Sequence, residues 1–389
     1  MTPMVPPRWP AFRDEGPQVG RGVSKGVDAV GRQAYLRFSS RRGLPIRAPN
    51  CGIFPSKRAI AGTVDGMAPK GVVLAAPHGF CTGVERAVLT VEKALELYRP
   101  PVYVRRQIVH NQHVVDELAA RGAVFVQELS EVPIGATVVF AAHGVSPKVR
   151  AEAVERKLRT IDATCPMVAK VHHEAKLFAE RGLQILLIGQ KGHDEVVGTT
   201  GEAPEHITLI EGPEDVDALT VADVTKLVWL TQTTLSVDDT AHTVASLRAK
   251  FAELIDPPTE DICYATQNRQ SAVKLIAGQS DLVIVVGSKN SSNSTRLADV
   301  ALEAGAKAAH RVEDASEIDP SWLVGVDSVG VSSGASVPEV LVQGTLGYLL
   351  SLGFGPVVEE VFTEEAMYFP LPAELLHDLA VAEAGSQVG

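Results

Sequence analysis

From Lys70 onward the chain repeats one theme: a short apolar run, a loop of Gly, Ser, Thr, His or Asn, then a stretch with helical period. The apolar runs read as strands at Val72–Ala76, Val102–Val104, Thr137–Ala141, Ile185–Ile188, Leu227–Leu230, Leu282–Val286 and Ser328–Val331. Between them, Val84, Val88, Val91, Leu95 and Tyr98 share one helical face, and Val168, Val171, Ala175 and Phe178 share another. Strands alternating with helices predict an α/β fold with mainly parallel sheets. In such sheets ligands gather beyond the carboxyl ends of the strands. The polar loops stand at those ends.

Three of those loops carry an isolated cysteine: Cys81 in AAPHGFCTGVERA, Cys165 in TIDATCPMVAKVHHE and Cys263 in EDICYATQNRQSA. Each follows a strand-like run and precedes a helix-like one. No two form a CxxC. A cysteine at a helix N-terminus feels the positive end of the dipole and ionises more easily. Three thiolates from three chain segments can hold an iron–sulfur cluster and leave one iron without a protein ligand, which suits an enzyme better than an electron carrier. The spacing suggests three α/β domains of roughly one hundred residues, with boundaries near Cys165 and Cys263. The expected division is 71–165, 166–262 and 263–352, followed by a C-terminal tail at 353–389 with a helix near Ala373–Ala382.

Composition narrows the function classes. Four cysteines in 389 residues do not make a disulfide framework, and isolated cysteines suit a reducing, cytoplasmic setting. No apolar run approaches a membrane span. Residues 1–70 hold 12 Lys/Arg against 4 Asp/Glu, whereas the remainder holds 24 against 43. That acidic body argues against nucleic acid as a partner. The first 70 residues also hold 9 Pro and 9 Gly without sustained period. They are expected to be a disordered extension, or the product of a start called upstream of Met67, in preference to a targeting segment. Cys51 lies there and carries no sign of a site.

Three histidines stand in comparable loops: His110 in RRQIVHNQHVVDEL, His143 in VVFAAHGVSPKVR and His193 in LLIGQKGHDEVVGTTGE. A lone histidine is more often a surface or satisfied core residue. Three in strand-end loops, in a chain with the three cysteines, point to function. The segment GSKNSSNSTRLADV places Ser291, Ser292 and Asn293 just before a helix beginning near Ser294, a ready anion site. A plain capped turn is the bland alternative. Ser336, in SSGASVPE, occupies a second Ser/Gly loop. Neither GxxxxGK[ST] nor GxGxxG occurs, so nucleotide binding has no motif support. Glu195 is the acid beside the His193 loop, and Thr233 follows another strand in WLTQTTLSVDDT. Most glutamates are solvated surface charges, and a threonine there can simply cap the next helix; beside a metal centre both suit proton transfer.

Together these segments resemble the 4-hydroxy-3-methylbut-2-enyl diphosphate reductase family, through GFCTGVERA, IVHNQHVVDEL, AHGVSPKVR, IDATCPMVAKVH, GHDEVVGT, TQTTLSVDD, DICYATQNRQ, VVGSKNSSNS and SSGASVPEVLVQ. The matches run in order from about Gly71 to Gly347. The resemblance implies three α/β lobes around a central cavity, and one 4Fe-4S cluster held by Cys81, Cys165 and Cys263. It implies diphosphate binding by His110, His143, His193, Ser291, Ser292, Asn293 and Ser336, and proton delivery by Glu195 with Thr233, which also contacts substrate. It further implies reductive removal of an allylic hydroxyl, giving isopentenyl and dimethylallyl diphosphate in isoprenoid precursor biosynthesis by the methylerythritol phosphate pathway. Ferredoxin or flavodoxin would supply the electrons. Departures from the family pattern stand at His78 (family Arg), Gln190 (His), Asp194 (Pro) and Val197 (Glu).

Two other functions compete. A zinc hydrolase with Cys and His ligands would use the strand-end histidines, although H-E-x-x-H and paired cysteines are absent. A non-enzymatic sensor or binding protein on the same scaffold would be supported by loss of Glu195 or a cysteine, and neither is lost; the departures at His78, Gln190, Asp194 and Val197 leave open a divergent paralogue with altered substrate.

Overall fold

The computed structural model describes residues 70–386. The expectations for the extension, including Cys51 and the start at Met67, lie outside the described residues.

The chain opens with β1 (Gly71–Ala76) and α1 (Thr82–Tyr98), then runs through β2 (Val102–Arg105), α2 (Gln112–Ala120), β3 (Ala123–Val126), β4 (Thr137–Phe140), α3 (Pro147–Glu155) and β5 (Arg159–Asp162). Next come α4 (Pro166–Glu180), β6 (Gln184–Ile188), α5 (Asp194–Thr200), β7 (Ile207–Ile210), α6 (Pro213–Val216), β8 (Leu227–Thr231) and α7 (Val237–Lys250). The last part comprises α8 (Tyr264–Ala277), β9 (Leu282–Val286), α9 (Ser292–Glu303), β10 (Ala308–Val312), β11 (Ser328–Ser333), α10 (Glu339–Ser351), β12 (Val357–Val361) and α11 (Ala373–Ser386).

The strands form three sheets, ordered β10-β9-β11-β1-β12, β3-β2-β4-β5 and β7-β6-β8. Every strand pairing within them is parallel. The α/β class with parallel sheets therefore stands. Parallel sheets need apolar cover on both faces. The first sheet has it: Val72, Ile284 and Val331 pack on one side with α10, and Val283 and Val285 pack on the other with α8 and α9. Strand β9 is buried at every position.

The lobes do not follow the expected sequence boundaries. β1 opens no sheet of its own lobe; it is inserted between β11 and β12, with Val72 opposite Val329 on one side and Val357 on the other. The division 71–165 thus begins with a strand that belongs with residues 282–361. The division 353–389 cuts away β12, an integral strand of that same sheet. The cause is visible at the cysteines. After β1 and Cys81, helix α1 packs its Ala87, Val91 and Ala94 on the second sheet. After β5 and Cys165, α4 packs Val171, Ala175 and Phe178 on the third. After Cys263, α8 packs Ala272 and Ile276 against Ala75 of β1. Each cysteine marks the point where the chain crosses from one sheet to the next. The expected helix near 373–382 is α11, which is pinned to the second lobe through buried Leu375 and the bond from Tyr98 to Asp378. Among the described residues, no helix is long and apolar enough to cross a membrane.

Candidate active site

Parallel strands of the three sheets deliver their carboxyl ends to one central cavity. Its lining includes Cys81, Cys165, Cys263, His110, His143, His193, Glu195, Thr233, Ser291, Ser292, Asn293 and Ser336. All twelve residues singled out from the sequence are thus brought together. Val84, Val109, Met167, Val168 and Ala142 complete an apolar part of the wall.

The three cysteines are the N-cap residues of α1, α4 and α8, and none is in a disulfide. The helix amides act in the expected direction: Met167 and Val168 favour the Cys165 thiolate. They are outweighed. Burial first, then the neighbouring Cys81 sulfur, pushes the Cys165 thiol up to about 12. The same causes push Cys263 up to about 11, although its sulfur meets Thr266 Oγ1 at 3.2 Å. At Cys165 and Cys263, desolvation of a buried anion exceeds the dipole's help. Sulfurs that repel one another as thiolates in a buried site are suited to a shared cationic centre.

Spacing discriminates between centres. Sulfur ligands about 2.3 Å from one tetrahedral zinc would lie roughly 3.8 Å apart. Among the described residues, no group of three His, Cys, Asp or Glu that includes a cysteine brings its ligand atoms within 4.8 Å of one another. The thiols are too widely set for one ion and leave room for a polynuclear group. A Cβ added at Gly83 would stand 2.6 Å from Cys165 Sγ and 3.9 Å from Cys81 Sγ, so only glycine leaves that cradle open. The close group that does exist is His110, His143 and Asp194. Its carboxylate is already paired with Arg106.

The histidines form a second cluster. His110 and His143 stack with ring centroids 3.9 Å apart, and His193 meets His110 edge-on at 5.0 Å. His193 caps α5, its Nδ1 accepting the Glu195 amide at 3.2 Å, so a neutral ring carries its proton on Nε2. Burial lowers all three: His110 to about 3, His193 to about 4, and His143 well below the usual range. Repulsion from His193 adds to the effect at His110 and His143. Both ring nitrogens of His110, Nδ1 of His143 and both amide atoms of Asn293 are buried without a partner. Such orphaned groups cost about 1–3 kcal/mol each unless a ligand answers them. Ser291 caps α9 by accepting the Ser294 amide at 3.3 Å, and the helix begins at Ser292, two residues earlier than expected. Ser336 Oγ donates to His110 O at 3.0 Å and locks the two loops together.

Glu195, in the first turn of α5, is 2% exposed. Its Oε1 accepts the Thr233 amide at 2.6 Å and its Oε2 accepts the Thr233 hydroxyl at 3.1 Å. Burial nevertheless raises its pKa to about 7. That value suits an acid that gives and regains a proton near neutral pH.

Of the departures, His78 binds Ala75 O and Glu339 and does not line the cavity. Val197 is half exposed. Gln190 and Asp194 line an outer cavity that shares His110, His193 and Ser292 with the central one. Sequence reasoning missed Gly83 and Thr266, whose roles rest on distances to sulfur that no local pattern signals.

The LytB protein family model matches residues 72–350. A 4-hydroxy-3-methylbut-2-enyl diphosphate reductase from Cutibacterium acnes is 63% identical over 306 residues, covering 79% of this chain and 95% of that protein. The one from Acidothermus cellulolyticus is 63% identical over 308 residues, covering 79% and 91%. The solved E-1-hydroxy-2-methyl-but-2-enyl-4-diphosphate reductase of Plasmodium falciparum superposes with a TM-score of 0.79 at 39% identity, covering 81% of this chain and all of that one. With the family match spanning most of its length and relatives more than half identical, the chain belongs to the LytB family.

Proposed function

We propose that this protein reduces 4-hydroxy-3-methylbut-2-enyl diphosphate to isopentenyl and dimethylallyl diphosphate, the terminal step of the non-mevalonate route to isoprenoids. The observation that carries the reading is the meeting, in one cavity, of three unpaired thiols, a set of orphaned anion donors and a buried acid of raised pKa. The overall reaction removes the allylic hydroxyl as water, forms one C–H bond and consumes two electrons and two protons. Cys81, Cys165 and Cys263 would hold one 4Fe-4S cluster. When bound, that group supplies electrons one at a time and a Lewis-acidic iron.

The chain's own residues do the rest. His110, His143, His193, Ser291, Ser292, Asn293 and Ser336 bind the diphosphate, together with the amides that open α9. The anion offsets the burial that keeps His110 and His143 neutral, so they take up protons as it binds, whereas His193 keeps Nδ1 as acceptor for the Glu195 amide and donates from Nε2. Glu195 holds a proton at its carboxyl, beside the Thr233 hydroxyl, and yields it to the departing oxygen. Hydroxide is a poor leaving group, and this proton makes it water. Val84, Val109 and Val168 limit water at the reacting end of the substrate. Electrons come from a small soluble carrier of the ferredoxin or flavodoxin class. The cytoplasm, where thiols stay reduced, is the matching compartment.

The test is anaerobic. Protein purified without oxygen is given the hydroxylated diphosphate and a strong chemical reductant, and the products are separated. Both olefinic diphosphates should appear at many turnovers per chain. A colourless protein that carries stoichiometric zinc and leaves the substrate intact would overturn the proposal.

A further inference from the structure

A charge buried without solvent is expensive, and arginine is almost never fully buried unless paired; Arg269 has both terminal nitrogens bonded and its Nε buried without a partner. Arg269, on α8 one and a half turns after Cys263, is 0% exposed. Its Nη2 donates to Gly79 O at 2.8 Å, two residues before Cys81. Its Nη1 donates to Ala265 O at 3.0 Å, two residues after Cys263. The same nitrogen faces Glu365 Oε1 at 3.2 Å and Oε2 at 3.4 Å. Glu365 lies between β12 and α11, and its Oε1 also accepts Asn268 Nδ2 at 3.0 Å. One guanidinium therefore ties together segments that are nearly two hundred residues apart in sequence.

The other bonds of the two cysteine loops show what this tie completes. Gly79, with φ +70°, donates its amide to Ser333 Oγ at 2.7 Å. Cys81 donates its amide to Ala335 O at 3.0 Å. Cys263 donates its amide to Thr233 O at 3.0 Å, next to the Glu195 contact. The Cys81 loop is thus fixed to the Ser336 loop, and Cys263 to the proton-donor strand. Among these contacts, Arg269 supplies the link between the two cysteine loops.

We propose that Arg269 is a positioning residue that sets Cys81 against Cys263 for cluster binding, and that Glu365 balances its charge beside the cluster. The inference rests on the assignment of the three cysteines as cluster ligands. A lysine at 269 carries the charge without the planar fork that reaches Gly79, Ala265 and Glu365 together. A methionine there leaves Gly79 O without its side-chain donor and Glu365 with Asn268 alone. Glutamine at 365 keeps the shape and unmasks the Arg269 charge, which makes electron addition to a neighbouring anionic centre easier.

The experiment reconstitutes Arg269→Lys, Arg269→Met and Glu365→Gln anaerobically beside the wild-type chain. Iron and acid-labile sulfide per chain, the electron paramagnetic resonance of the reduced state and the midpoint potential are measured. Both Arg269 variants should retain severalfold less iron and sulfide, with lysine rescuing only part. Glu365→Gln should load fully and show a higher midpoint potential. If both Arg269 variants load fully with the wild-type spectrum and merely melt earlier, the residue is scaffold alone and the inference is wrong. An unmoved potential in Glu365→Gln removes the charge balance from it. A wild-type chain that takes up no iron and sulfide sinks the cluster assignment itself, and this inference with it.

Discussion

The carboxylate of Glu195 grips Thr233 twice, at the amide through Oε1 (2.6 Å) and at the hydroxyl through Oε2 (3.1 Å). Both bonds favour the anion, yet burial wins and holds the group at about 7. Glu195→Gln keeps the size and most of the contacts while removing the acid. Turnover should fall roughly 10²–10⁴-fold, the usual worth of a general acid. Cluster content and substrate affinity should hardly move, as read by iron analysis and a binding titration. Near-normal turnover would take Glu195 out of the mechanism.

The same pKa gives a pH profile. The acid acts only when protonated, so kcat/KM should decline as pH rises through about 7. Stability follows with a definite sign. The folded pKa of about 7 lies above the ordinary glutamate value of 4.5, so the folded state binds more protons between those limits. The stability linked to protonated Glu195 is whole below 4.5 and is lost as pH rises through 7. The loss reaches about 3 kcal/mol at most. Glu195→Gln should therefore melt higher than wild type at pH 8 and lose that advantage at pH 4. An equal difference at both pH values would show that Glu195 titrates normally.

The histidines give the opposite sign. His110 near 3 and His193 near 4 lie below their usual 6.5, so the unfolded chain binds the extra protons. Their contribution to stability is whole above 6.5 and is lost as pH falls through about 4 for His193 and about 3 for His110. Anion binding should reverse the depression at His110, whose two ring nitrogens are both without a partner. Titration calorimetry with inorganic pyrophosphate near pH 6.5, run in buffers of different ionisation enthalpy, should show net proton uptake that shrinks in His110→Asn. Uptake unchanged by that substitution would place the anion elsewhere.

Gly83→Ala tests the sulfur cradle. The new Cβ would meet Cys165 Sγ at 2.6 Å, inside any normal contact. Circular dichroism should remain near wild type, because alanine suits a helix better than glycine. Iron and sulfide content should fall severalfold. Full cluster loading in this variant would show that the two sulfurs do not share that space.

The interior of each sheet was legible in the sequence, and its edges were not. The six strands that lie between two neighbours, β1, β2, β4, β6, β9 and β11, all announce themselves as apolar runs. The five strands that escaped notice, β3, β5, β7, β10 and β12, are all sheet edges. Arg159 in β5, His310 and Arg311 in β10, and Glu359 and Glu360 in β12 show why for three of them, whereas β3 (AVFV) and β7 (ITLI) carry no charge and are only four residues long. A strand wetted along one side tolerates charge and loses its apolar signature. β8 is the edge strand that did read as a strand. Its outer side is covered by Ile255, which bridges Val228 and accepts the Trp229 amide. Residues of the site were legible because strand-end loops need no packing pattern, and Cys, His and Ser there stand out. The crossing of the chain between sheets was not legible, since nothing in GVVLAA says which sheet it joins. Arg269 was hidden as well, reading as one more charge on a helix.

The central claim is that Cys81, Cys165 and Cys263 together hold one cluster in this cavity. Its most direct measurement is iron and acid-labile sulfide per chain in anaerobically purified wild type and in each single Cys→Ser variant. Wild type should carry about four of each, and each of the three variants should lose most of both. Wild-type iron and sulfide in any one of those variants would contradict the claim.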